Sequence, residues 1–163
     1  MSKRDAYLYY EAGQAVAAAH LRLTIRHISP NPASAPTDIL LPRDRPKAPI
    51  ILWLTGMAAE KKGAGFSDPL RRTRNRMRIR KLLQSLTRSA RSDSADNAGN
   101  LLNQSQDRAN AICSNLFQAI ERVVERLRSG EPLPGAEVYA IVQKVKAQRT
   151  QDGEELPEES ASH

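Results

Sequence analysis

Cysteine is nearly absent from this sequence, with Cys113 the only one among 163 residues. A single thiol excludes an intramolecular disulfide framework and any cysteine-built zinc site, and it points to a reducing compartment. Aromatic residues are also scarce, at 4%. The core must therefore be aliphatic, which disfavours an aromatic-rich β-sandwich. Long apolar runs are missing as well. The longest, residues 48–59, is interrupted by Pro49 and Gly56 and falls short of the roughly 20 residues a membrane span requires. Asp5 and Glu11 break up the first segment, which has no signal-peptide character. These absences predict one cytoplasmic domain without membrane contact.

Positive charge is present, and it is concentrated. The net charge is +7, yet residues 61–91 carry eleven Lys or Arg against the single acid Asp68. That segment alone is +10, which leaves the remainder slightly acidic. Residues 152–163 hold five acids and no Lys or Arg, and read as a solvated tail. A helix so basic predicts either a solvent-facing surface balanced by acids elsewhere or a nucleic-acid contact through Arg71, Arg74, Arg78 and Lys81. No aromatic residues interleave with the arginines to stack bases, which favours the first.

The patterning predicts a mainly α protein with a small β element. Residues 3–21 are Ala-rich and read as a helix. Residues 22–29 alternate apolar and polar types and read as a strand. Six of the ten prolines fall in the loop 30–49, which excludes helix but allows a short edge strand over 38–41. Residues 50–61 form an apolar helix whose central Gly56 is costly unless another backbone packs there. Residues 63–65 read as a flexible connection, and Ser67 as the N-cap of a basic helix over 68–88. Residues 89–100 are small and polar and predict a loop. One long amphipathic helix follows over 101–128, carrying Cys113 on its apolar side, and a short helix over 136–148 closes the domain. The acidic tail is expected to begin at residue 149.

Within this frame, several segments resemble the proteolytic domain of the FtsH-type ATP-dependent zinc metalloproteases. The run Tyr10-Glu11-Ala12-Gly13-Gln14-Ala15-Val16, followed by Ile25-Arg26-His27-Ile28-Ser29, is similar to the family's His-Glu-Ala-Gly-His-Ala-Val helix and the strand after it. Leu54-Thr55-Gly56-Met57-Ala58-Ala59-Glu60 looks like its Leu-Ala-Gly-Arg-Ala-Ala-Glu helix. Residues 118–127, and Glu131 to Glu137 with its Leu-x-Gly-x-Glu turn, resemble the closing elements. The four blocks stand in the family's order and imply an FtsH peptidase-like helical domain over 1–148.

The resemblance implies a zinc site, because two His at i and i+4 share a helix face and the adjoining Glu acts as general base on metal-bound water. Here Glu11 holds the base position, while Tyr10 and Gln14 stand where the family has its histidines. Phenol is a ligand only as phenolate, and a neutral amide suits hard ions better than zinc. The third ligand position falls on Asp68 or, without a gap, on Pro69. His20 stands ten residues after Tyr10, but Ala17 replaces the glycine that would turn the chain, so His20 reads as a helix-end residue and His27 as a surface one. Glu11 could equally pair with Lys3, Arg4 or the basic helix. The family's ATP-binding Gly-x-x-x-x-Gly-Lys-Ser/Thr loop does not occur in this sequence. The expectation is a degenerate peptidase that binds a protein or peptide, without ATP, and with zinc only if the family's activity is retained through unusual ligands.

Overall fold

The computed structural model describes residues 1–33, 35–88 and 94–153. Among these residues the elements run α1 (Lys3–His20), β1 (Ile25–Ile28), β2 (Asp38–Ile39), α2 (Ala48–Ala64), α3 (Pro69–Arg88), α4 (Ser94–Asn115), α5 (Phe117–Leu127), β3 (Leu133–Pro134) and α6 (Gly135–Gln151). The mainly α expectation with a small β element holds. No helix among the described residues is long and apolar enough to cross a membrane.

α1 is the central element. A capping box between Ser2 and Asp5 closes its first turn. Beyond that turn it is buried on nearly every side, from Ala6 through Ala19. Its alanines let α2, α5 and α6 approach its axis together, and the aliphatic core gathers around it, with Leu116, Ile120, Val123, Leu127, Val138 and Val142 contributed by α5, α6 and the end of α4. α2 approaches closely at Gly13. A Cβ there would lie 2.7 Å from Ala59 Cβ and 2.9 Å from the Thr55 carbonyl oxygen. Gly56 is the reciprocal case, since its own Cβ would meet the Tyr10 ring at 2.8 Å and the Tyr10 carbonyl oxygen at 3.0 Å. The close packing that would justify a mid-helix glycine is therefore present.

The sheet is antiparallel throughout, in the order β2-β1-β3. Ile25 pairs with Ile39 and His27 with Asp38 on one side; His27 pairs with Pro134 and Ile28 with Leu133 on the other. β1 is shorter than the expected strand because the chain turns at Arg22, which takes the left-handed φ of 58°. β3 was not expected at all. Its two residues are held by β1 and carry only the buried Leu133 into the core.

Several helix boundaries differ from expectation. α2 starts at Ala48, with Pro49 harmless in a first turn that needs no N–H. It continues through the supposed flexible connection, because Gly63 is pressed against the Tyr9 ring, and it ends at Gly65 in the left-handed region with φ of 79°. Asp68, not Ser67, caps α3: its Oδ1 accepts the Arg71 backbone N–H at 2.9 Å. Residues 94–100 are helical rather than a loop, while 89–93 lie outside the described residues. The long helix expected over 101–128 is broken at Leu116, whose φ of −114° leaves the helical range. The Asn115 carbonyl at the break accepts from the Arg149 guanidinium, which compensates for the interrupted ladder. α6 extends to Gln151, so residues 149–151 belong to the domain. The rest of the expected tail, from 154 onward, lies outside the described residues.

α3 stands apart from this core. It touches α2 and α4 mainly through the stripe Asn75, Ile79, Leu83 and Thr87, one residue per turn. Ile79 and Leu83 join Ile50, Leu54 and Ala109 in a smaller second cluster.

Candidate functional site

Tyr10, Glu11 and Asp68 converge at the N-terminal end of α3, around a residue the zinc-site correspondence does not include. Tyr10 lies one turn before Gly13 on α1, so its ring covers Gly56 at the α1–α2 crossing. Its hydroxyl accepts from Asn75 Nδ2 of α3 at 2.9 Å, with both residues buried. Burial pushes the Tyr10 phenol up to about 12, outweighing the Asn75 hydrogen bond. Tyr10 is therefore a neutral phenol at physiological pH.

Glu11 is 7% exposed. Its Oε2 accepts from the Thr37 hydroxyl at 2.5 Å, and that hydroxyl accepts the Ser29 backbone N–H at 2.9 Å. The Pro-rich segment before β2 thus closes over the base position. Desolvation raises the Glu11 carboxyl above its ordinary range, and the Thr37 hydrogen bond and nearby Arg71 charge oppose that rise. Of the partners weighed from sequence, the basic helix supplies the cation.

Arg71 is that cation. Its guanidinium carbon lies 5.0 Å from the Tyr10 ring centroid and 5.5 Å from the Tyr7 ring centroid. The guanidinium also donates to Glu60 Oε1 in an ion pair. Glu60 is wholly buried on α2, and the same oxygen accepts the Asp68 backbone N–H at 2.9 Å. Glu60 Oε2 has no hydrogen-bond partner among the described residues. Burial raises the Glu60 carboxyl, with the Asp68 N–H and Arg71 opposing it. Arg71 thus joins two aromatic faces and two buried carboxyls.

The family's metal can be tested against these donors. The Tyr10 oxygen is protonated and engaged by Asn75. Gln14 is a half-buried neutral amide with no hydrogen bond among the described residues. The Asp68 carboxylate faces the α3 backbone, whose Arg71 N–H holds it below the usual carboxylate range. Among the described residues no group of three or more His, Cys, Asp and Glu is placed to hold a metal ion. A guanidinium over the Tyr10 ring adds repulsion toward any second cation. The residues present do not fit zinc.

The other sequence candidates disperse. His20 ends α1, and His27 Nε2 lies 2.8 Å from the Pro36 carbonyl oxygen. Cys113 is buried in the core as expected. Arg74, Arg78 and Lys81 are exposed, with Arg78 5.9 Å from the Trp53 ring centroid. Arg71, grouped with them from sequence, turns inward, with only 18% of its side chain exposed.

Sequence reasoning missed Glu60, Asn75 and Thr37 as site residues. Glu60 carried a signal: it is the single acid in a mostly apolar helix. Asn75 carried another, as the only uncharged amide among seven arginines and lysines over 71–81, spaced four residues before Ile79. Thr37 carried none, because its role depends on how the Pro-rich segment returns across α1. Comparison with protein-family models and with curated proteins finds no match to this chain.

Proposed function

We propose that this chain is an FtsH peptidase-like domain whose metal site has been rebuilt around an arginine, and that it acts by binding a protein or peptide. The observation that carries the reading is the position of Arg71. Its positive charge adjoins Tyr10 at a former ligand position and Glu11 at the base position, and it is paired with buried Glu60. In the zinc-protease arrangement the general base acts on water acidified by the metal. Glu11 instead accepts a threonine hydroxyl inside a closed polar cluster. The cluster offers structural cohesion and no activated nucleophile.

Metal analysis and a protease assay test this directly. Purified protein is expected to contain far less than one zinc per chain and to leave casein intact. Stoichiometric zinc, with casein cleavage lost in Glu11→Gln, would overturn the proposal in favour of an active peptidase with unusual ligands. Restoring the histidines tests the correspondence itself. Tyr10→His with Gln14→His is expected to gain zinc affinity at least tenfold once Arg71→Ser removes the competing charge, seen as a zinc-dependent rise in Tm. No gain over the parent sinks the residue correspondence.

A second reading places nucleic acid on the outer face of α3, favoured by the exposure of Arg74, Arg78 and Lys81. It requires binding to random-sequence DNA or RNA that falls steeply with salt and is lost in the triple alanine variant of those residues. Binding that survives the triple substitution removes this reading.

A further inference from the structure

A groove of about 1290 Å³ runs between α2, α3 and α4. Leu54, Ile79 and Leu102 contribute to its apolar floor, and Arg72, Arg76 and Arg80 form one wall. Among the described residues no Asp or Glu lines it, and no aromatic residue does. The three arginines stand at i, i+4 and i+8, so they repel one another along the helix. None of them makes an ion pair with an acid among the described residues. Among the described residues, α3 thus presents a row of charge without acidic partners beside apolar surface.

We infer that this groove is a docking site for an acidic amphipathic helix of a partner protein. The inference rests on the reading of the chain as a binding protein and names the class of its partner. Residues four apart on an α-helix are about 6 Å apart along its axis. A partner helix lying alongside α3 repeats its carboxylates at that same interval, facing Arg72, Arg76 and Arg80. Its apolar stripe then covers the floor made by Leu54 and Leu102. Charge and apolar surface are thereby matched by a single amphipathic ligand. Nucleic acid matches less well, since the floor offers phosphates nothing and the walls offer bases no ring to stack on.

Fluorescence anisotropy with the full chain tests the inference. The probe is a labelled peptide of about 16 residues, with leucine at helical i, i+3, i+4 and i+7 spacing and glutamate on the remaining face. It is expected to bind, and Arg76→Glu with Arg80→Glu to weaken binding at least tenfold. Arg76→Lys with Arg80→Lys is expected to retain binding within about threefold, and Arg74→Glu with Lys81→Glu, on the other face of α3, to leave it unchanged. All of these positions are exposed, and circular dichroism checks that each variant folds. Four results overturn the inference: no binding at millimolar protein; equal binding of a scrambled peptide of the same composition; equal loss in both glutamate variants; or tighter binding of mixed-sequence single-stranded DNA that Arg76→Glu with Arg80→Glu abolishes. Zinc content is read separately, so a failed pseudo-peptidase reading and a failed groove give different results.

Discussion

Arg71→Met is expected to lower folding stability by about 3 kcal/mol at neutral pH, measured by urea denaturation, because it removes one partner of a buried ion pair and leaves the other behind. Glu60 is wholly buried, and without the guanidinium its Oε1 retains only the Asp68 N–H. Glu11 loses a nearby positive charge at the same time. Adding Glu60→Gln to Arg71→Met should recover more than half of the loss, since an amide carries no charge to strand. The sign of the pH dependence follows from the raised carboxyls. Both groups titrate above the ordinary value of 4.5 in the folded chain. Their stabilising contribution is present below that value and is lost as pH rises through the folded pKa. Removing Arg71 raises both pKa values further, so the gap between parent and variant should be small near pH 4 and widen toward pH 8. A loss below about 1 kcal/mol, or a gap independent of pH, would show that the cluster does not depend on this cation.

Gly135→Ala is expected to cost more than about 3 kcal/mol and to lower Tm by roughly 10 °C, or to abolish folding. The added Cβ would lie 1.8 Å from the Ile25 carbonyl oxygen and 2.7 Å from its carbon. Both are backbone atoms of β1, so no side-chain rotation can relieve the overlap. β1 cannot retreat easily either, because Ile28 and His27 pair with Leu133 and Pro134 immediately before the glycine. Gly99 is the control. It sits exposed on α4 with nothing within 4 Å of an added Cβ. Gly99→Ala should stabilise by a few tenths of a kcal/mol to about 1 kcal/mol, through helix propensity alone. Thermal melts of the two variants side by side distinguish steric exclusion from a generic effect of the substitution.

These two sites differ in what the sequence revealed. Gly135 reads as part of the turn between the last two helices, and nothing local indicates that a strand backbone is pressed against it. The same blindness affects the break at Leu116. Ile112, Leu116 and Ile120 continue the apolar spacing without interruption, and the guanidinium that satisfies the freed Asn115 carbonyl arrives from α6. Gly56 was more legible, because a costly glycine inside an apolar helix already asks for a close neighbour. At the site, the resemblance to the zinc-protease helix singled out Tyr10, Glu11 and Gln14 as residues to examine. It did not say that Arg71 alone of the basic group faces inward. Arg71, Arg74 and Arg78 differ only in their angle around α3, and that angle is set by where Asn75 and Ile79 pack.

The guanidinium among Tyr7, Tyr10, Glu11 and Glu60 has a consequence for supply. A bound ion must be captured from solution, competes with other ions, and can be stripped by a chelator or withheld by starvation. A charge built into the polypeptide is delivered at synthesis in a fixed ratio of one per chain. On the proposed reading, the charge beside Glu60 therefore arrives with the chain itself, with nothing to load and nothing to lose.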